Sequence, residues 1–276
     1  MKLSLSTRVA EAPKRKDVAL MGLRELAQVA CDCGYSALSM RASQVSIYSD
    51  NVARRNARQI IDAANLRVSM VTGDFDIPAN NERLIVSLRE IERHLDLAES
   101  LGANLVRVAI KADTQISHLR HACDAAAERG IRLAHQCHVA TLFETVDRTL
   151  EVMREVGRNN FGITYEPSNL MVCGQDYGET TIRRLGPHLF NVYLQNLAPR
   201  AGAPNVIETW INGPIEYDLV SFGDPRGIDF PRVMGALQSI GYDGYVTVHQ
   251  NIANGTDIAV GARSCAQYLR TLASFD

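Results

Sequence analysis

The chain has 276 residues, 46% of them hydrophobic and 22% charged, with a formal net charge of −2. This supplies a sizeable core under an ordinary water-facing surface, without the basic excess a general nucleic-acid binder needs. No apolar run approaches the roughly 20 residues of a membrane span, and the start "MKLSLSTRVAEAPKRKD" lacks a signal peptide's apolar stretch, so a cytoplasmic protein without a membrane partner is expected.

In chain order, eight short apolar runs have strand character: 2–6, 36–40, 67–72, 105–110, 131–136, 161–166, 189–195 and 244–250. Amphipathic segments fill the gaps between them. In "NERLIVSLREIERHLDLAESLG", Leu84, Ile85, Leu88, Ile91, Leu95 and Leu97 recur at three- and four-residue spacing, and Gly102 follows as a stop. "GLRELAQVACDCG" ends at Gly34 and "ISHLRHACDAAAERG" at Gly130, each just before a strand, where glycine suits a left-handed helix cap. Six cysteines (Cys31, Cys33, Cys123, Cys137, Cys173 and Cys265) form no CxxC pair, so reduced, mostly buried thiols are expected.

Strand–helix alternation repeated about eight times predicts an α/β fold, a (β/α)8 TIM barrel forming one domain over residues 1–276. A doubly wound sheet would carry a glycine-rich phosphate loop after its first strand, and "LSLSTRVAEAPK" has none. Chemistry in such barrels gathers at the C-terminal strand ends. Those ends here carry Thr7 and Arg8; Ser39 and Arg41; Thr72, Asp74 and Asp76; Lys111; His135, Gln136 and His138; Glu166 and Asn169; Tyr193, Gln195 and Asn196; and His249, Gln250 and Asn251. Strand alternation turns His135 away from the face that Gln136 presents, which makes His135 a packing residue.

The segments "GITYEPSNLMVCGQD", "LFNVYLQN", "FGDPRGIDFPRVMGALQSIGYDGYVTVH" and "GYSALSMR" resemble the xylose isomerase-like sugar phosphate isomerase/epimerase family. The most specific part covers Gly223, Gly227, Asp229, Phe230 and the stretch from Gly241 to Tyr245. The resemblance implies a TIM-barrel enzyme with one divalent cation, Mn²⁺ or Mg²⁺, held by Glu, Asp, His and Glu on the last four strands. Those positions here read Gln136, Glu166, Tyr193 and His249. An amide and a phenol supply little anionic charge, leaving Glu166, His249 and Gln136 as the donors a metal would use. Ser39 also stands at a position where the family commonly has glutamate.

The resemblance implies action on a small polyhydroxylated carbonyl compound: a sugar, keto-sugar or sugar acid. With both proton-moving glutamates replaced, Glu166 and His249 become the catalytic candidates, His249 being a ligand, an acid–base group tuned near neutral pH or a satisfied histidine at the rim. Gln136, His138, Tyr193 and Gln195 are candidates for orienting the substrate. Arg41 and Lys111 are candidates for an anionic substrate group. Trp210 lies in "NVIETWINGPIEYD", which reads as a long loop, and could stack on a sugar face or anchor that loop. Two other readings stay open: a catalytically inactive barrel serving as a binding protein or non-catalytic subunit, and a lyase or decarboxylase on a keto-sugar acid. The DNA-repair endonuclease branch needs a trinuclear zinc cluster and is excluded by the few histidines near the mouth. A homo-oligomer is left open.

Overall fold

A computed structural model describes residues 1–12, 15–72, 88–250 and 257–276. Asp74, Asp76, Leu84, Ile85 and Asn251 lie outside these described residues. All eight expected strands form, each within two residues of its expected bounds. They are β1 (Lys2–Ser6), β2 (Ala37–Met40), β3 (Arg67–Thr72), β4 (Leu105–Val108), β5 (Arg132–Gln136), β6 (Phe161–Tyr165), β7 (Leu189–Leu194) and β8 (Tyr245–Val248). Each pairs in parallel with its neighbour in sequence, and β8 pairs with β1, closing the barrel.

The outer layer consists of α1 (Leu23–Asp32), α2 (Asn51–Ala63), α3 (Ile91–Leu101), α4 (Ile116–Glu128), α5 (Val146–Val156), the short α6 (Pro167–Val172) and α7 (Glu179–Leu185), then α8 (Phe230–Ser239) and α9 (Ile258–Leu272). Side chains cap several of them. Asp50, Thr145, Asp229 and Asp257 each accept a hydrogen bond from a backbone N–H in the first turn that has no intrahelical partner. Gly102 ends α3 at φ +68°, the left-handed backbone that glycine adopts without steric cost. The main apolar core lies between strands and helices, while Met70, Leu105, Ala134 and Tyr193 make a smaller apolar plug. No helix among the described residues is long and apolar enough to cross a membrane.

Two elements beyond the barrel were not expected. Glu11–Ala12 pairs antiparallel with Arg15–Ala19 just after β1. After β7, the stretch read as a long loop is a three-stranded antiparallel sheet of Leu197–Pro199, Asn205–Thr209 and Gly213–Leu219. Its hairpin turns through Trp210, Ile211 and Asn212 into Gly213 at φ +69°, a three-residue connection that requires a left-handed residue. Alternation in "NVIET" and "PIEYDL" sends Ile207, Ile215 and Tyr217 onto Val139, Val172, Cys173 and Leu197. The sheet is therefore packed against residues that follow β5, β6 and β7.

Candidate functional site

Glu166 follows β6 directly and is fully buried. Three neutral donors converge on its carboxylate: Gln136 Nε2 reaches Oε2, while Gln195 Nε2 and Ser168 Oγ (3.0 Å) reach Oε1. Burial raises its carboxyl from the ordinary 4.5 to about 7, against the pull of Arg8, Ser168, Arg107 and Gln195. A carboxylate offers about four lone-pair positions, and three donors leave one on Oε2. The result is a buried acid that exchanges a proton near neutral pH.

The mouth is rich in guanidinium groups. Arg8, half-buried, bonds Gln195 Oε1 at 3.5 Å and interacts electrostatically with Glu166. Arg41, expected as an anion binder, is paired with Glu11 at 2.6 Å, and Ser43 Oγ adds a bond to the same Glu11 oxygen at 3.0 Å. Arg107 rises from the interior of β4, in register with Ala134, two residues before Gln136 on the next strand. Only 7% of it is exposed, and its Nε has no hydrogen-bond partner. Burial, which Arg41 and Arg8 reinforce, lowers the Arg107 guanidinium to about 10, so it stays charged at neutral pH. Lys111 is buried after β4.

His249 is fully buried, with Nδ1 2.9 Å from Ser6 Oγ and its ring stacked on Tyr193 at 3.9 Å. Burial, and then Arg8, Arg41 and Arg107, push its pKa far below 6.5. The imidazole is neutral, which corrects the expectation of an acid–base group tuned near pH 7. It can still position a substrate hydroxyl by hydrogen bonding. The Tyr193 hydroxyl is engaged by Ser39 (2.8 Å) and Thr72 (3.2 Å). Ser39, at the usual glutamate position, thus supports a phenol. His138 is partly exposed, with Nδ1 2.8 Å from the Val139 carbonyl, and burial followed by Arg107 drives its pKa well down. His135 stacks on Phe143 at 3.8 Å and burial lowers it to about 3, so it packs outside the barrel as strand alternation requires.

Trp210 sits at the hairpin tip, 54% exposed, and its backbone N–H binds Glu144 Oε1 at 2.8 Å. The backbone, not the indole, is the anchor. Asn196 and Gln250 are structural: Asn196 Oδ1 accepts from Ile228 N at 2.7 Å and Gln250 Nε2 donates to the Val220 carbonyl at 2.7 Å. Gly227 makes this possible, because a Cβ there would lie 2.0 Å from Asn196 Oδ1. Asn169 likewise ties the chain, donating to the Cys137 carbonyl at 2.8 Å.

The residues at the family's ligand positions do not fit a divalent cation. Gln136 turns its NH₂ to Glu166, Tyr193 is held by hydroxyls, His249 is held by Ser6, and three guanidinium groups already charge the site. Among the described residues, no three His, Cys, Asp or Glu side chains are grouped to hold a metal. Hard divalent ions need several anionic oxygens, and of these four positions only Glu166 carries a carboxylate.

Sequence reasoning missed Arg107 and Glu11. For Arg107 a signal existed: a charged residue between two valines in an otherwise apolar strand. Glu11 lies in the small hairpin, where nothing in the sequence points toward the mouth. Tyr217 was also missed; it lies in the antiparallel sheet close enough to Arg8 and Glu166 to interact with both charges.

Comparison with known proteins locates this site in a family. Residues 27–272 match the xylose isomerase-like TIM-barrel family model. The chain is 25% identical over 164 residues to inosose dehydratase from Geobacillus thermodenitrificans, covering 57% of this chain and 53% of that one. The alignment therefore spans about half the length of that relative. The fold is also that of a probable 3-DHS dehydratase from Bacillus anthracis (TM-score 0.73, 16% identity, 98% of this chain and 99% of that one). It is likewise that of a D-allulose 3-epimerase from Methylomonas sp. (TM-score 0.72, 13% identity, 99% and 98%).

Proposed function

The chain belongs to the xylose isomerase-like TIM-barrel family, and on that premise we propose that it is an isomerase-type enzyme with Glu166 as its base. It takes a proton from the carbon beside the carbonyl of a small polyhydroxylated compound. The observation that carries this reading is the Glu166 carboxylate itself: buried, held by three donors, with one lone pair left and a pKa of about 7. Such a group is half ionised where the cell works, which suits both taking and returning a proton.

In the first step the C–H proton moves to Glu166 Oε2 and the bonding pair shifts onto the carbonyl oxygen, giving an enediolate. Arg8, beside Glu166, supplies positive charge for the developing oxyanion. Gln136 and Gln195 fix the orientation of the carboxylate, and neutral His249 orients a hydroxyl. Returning the proton to the neighbouring carbon on the same face, while the hydroxyl proton of the other carbon passes to the oxyanion and leaves a carbonyl there, completes an isomerisation. Delivery to the opposite face would need a second base, and the nearby carboxylate Glu11 is bound to Arg41 and Ser43.

A dehydration is the second reading. The same enediolate can expel a β-hydroxyl, which leaves with its electron pair and takes the proton from Glu166 as water. One base suffices, and the curated relative at 25% identity is a dehydratase.

The test is solvent exchange. The protein is incubated in D₂O with a panel of ketoses, keto-sugars and sugar acids, and NMR follows the proton beside the carbonyl. Exchange on at least one compound is expected, with loss of water marking the dehydratase. Absence of exchange across the panel, with a stable co-purifying partner, would replace this reading by the non-catalytic subunit.

A further inference from the structure

Among the described residues Arg107 forms no ion pair with a carboxylate, and its Nε has no hydrogen-bond partner. The residue is only 7% exposed, and its guanidinium stays charged because even burial lowers it only to about 10. Among the described residues, the two carboxylates at the mouth are already committed. Glu11 holds Arg41 and Ser43, and Glu166 accepts from Gln136, Gln195 and Ser168. A buried charge of this kind costs several kcal/mol unless something completes it.

Two further buried polar atoms, one on a residue bonded to Glu166 and one on the residue before Arg8, also have no hydrogen-bond partner. One is Gln136 Oε1, the acceptor end of the amide whose nitrogen holds Glu166. The other is Thr7 Oγ1, one residue before Arg8 and fully buried. Buried polar atoms are almost always paired, so the orphans on Arg107 and Gln136, which both act on Glu166, and on Thr7 beside Arg8 mark missing ligand atoms. Their chemistry is specific: a forked cationic donor, an amide acceptor and a hydroxyl that can give or take.

We infer that the substrate is a sugar acid, whose carboxylate is bound by Arg107 while a neighbouring hydroxyl donates to Gln136 Oε1 and Thr7 Oγ1 bonds a further oxygen. The inference rests on the reading of Glu166 as base, and it names the substrate class that this base serves. The planar fork of a guanidinium matches a carboxylate with two parallel hydrogen bonds. The Arg107 guanidinium takes the place that a divalent cation would otherwise occupy in the charge balance of the mouth: in this chain the protein brings the positive charge and the substrate the negative one.

The test uses three polyols of the same carbon chain: D-gluconate, D-sorbitol and D-sorbitol 6-phosphate. Binding to the EDTA-treated full-length protein is followed by calorimetry and thermal shift. D-gluconate is expected to bind and to raise the melting temperature without added metal, and D-sorbitol is not. Arg107→Met should weaken D-gluconate by at least about thirtyfold, the effect of removing one partner of a buried charge pair. Arg107→Lys keeps the charge and loses the fork, and should weaken it by roughly tenfold; it stands in if the methionine variant fails to fold.

Equal binding of D-gluconate and D-sorbitol, unchanged D-gluconate binding in both variants, or binding that needs Mn²⁺ or Mg²⁺ would each overturn the inference. Stronger binding of D-sorbitol 6-phosphate than of D-gluconate would overturn the carboxylate in favour of phosphate. The two readings fail separately. Proton exchange confined to neutral ketoses keeps Glu166 as base and removes the sugar acid. Metal-free D-gluconate binding that depends on Arg107, without exchange on any compound, keeps the anion site and removes the enolising chemistry.

Discussion

Arginine is used in opposite ways on the outside of this barrel and at its mouth. On the helical surface Arg129 alone faces Glu92, Asp96 and Glu99, and Arg148 alone faces Asp113, Glu151 and Glu155. Among the described residues at the mouth the ratio inverts, with Arg8, Arg41 and Arg107 sharing Glu11 and Glu166. Charge is thus over-neutralised where water would screen it anyway and under-neutralised where burial makes it costly. A fold optimised only for stability would do the reverse. The excess at the mouth is what an anionic ligand or a developing oxyanion would use.

The sharpest way to break this comparison is to remove the carboxylate on which the mouth depends. Glu166→Gln is expected to lower turnover by roughly a hundred- to ten-thousandfold, the contribution of a positioned general base. In the native protein the rate should climb tenfold per pH unit below about 7 and level off above it, as Glu166 ionises. A flat pH profile, or a fully active glutamine variant, would show that the proton goes elsewhere.

The same substitution should act on stability with a definite sign. The folded carboxyl sits at about 7 and the unfolded one near 4.5, so the native state holds the extra proton in between. Its stability is present below pH 4.5 and is lost as pH rises to about 7, by roughly 3 kcal/mol at 1.36 kcal/mol per pH unit. Glutamine does not titrate, and Gln136 can flip to turn its unpartnered oxygen toward the new amide. Denaturant unfolding at pH 5 and pH 8 should therefore show Glu166→Gln gaining on the native protein as pH rises. An unchanged difference between the two pH values would mean that Glu166 titrates normally.

The barrel was legible because period-two apolar runs and glycine stops are local signals, and all eight strands fell where those signals put them. Strand-end position alone brought Gln136, Glu166, Gln195 and His249 together, since parity at a strand tip decides which side chains face the mouth. The electrostatics were not legible. That His249 would be silenced depends first on its burial and then on guanidinium groups just after β1, just after β2 and in β4, which are far apart in sequence. The family-specific motif proved to be a folding device: Gly227 admits Asn196, Asp229 caps α8, and Gly241 turns at φ +66°. It identified the family while contributing nothing to the chemistry. The antiparallel sheet was missed for a different reason, since Trp210 and Ile211 interrupt the alternation just where the Asn212–Gly213 turn signal falls.

The smallest expected effects draw the comparison most directly. Arg129→Ala deletes the guanidinium with three acidic partners, yet those partners are about half exposed and regain water when it leaves. Exposed pairs of this kind are screened and contribute little, so the melting temperature should fall only slightly, and less in high salt. Arg107→Met deletes a guanidinium whose Nε bonds nothing, and it should stabilise the ligand-free protein. The gain should be on the order of 1–4 kcal/mol, the range found when buried charges give way to apolar groups of similar volume. Counting ion pairs predicts the opposite order, because among the described residues the surface arginine has three and the buried one has none. If Arg107→Met is destabilising in denaturant titrations while Arg129→Ala is neutral, the mouth is held together by its arginines. If the signs are those expected here, stability is given up at Arg107 and recovered only when an anion binds.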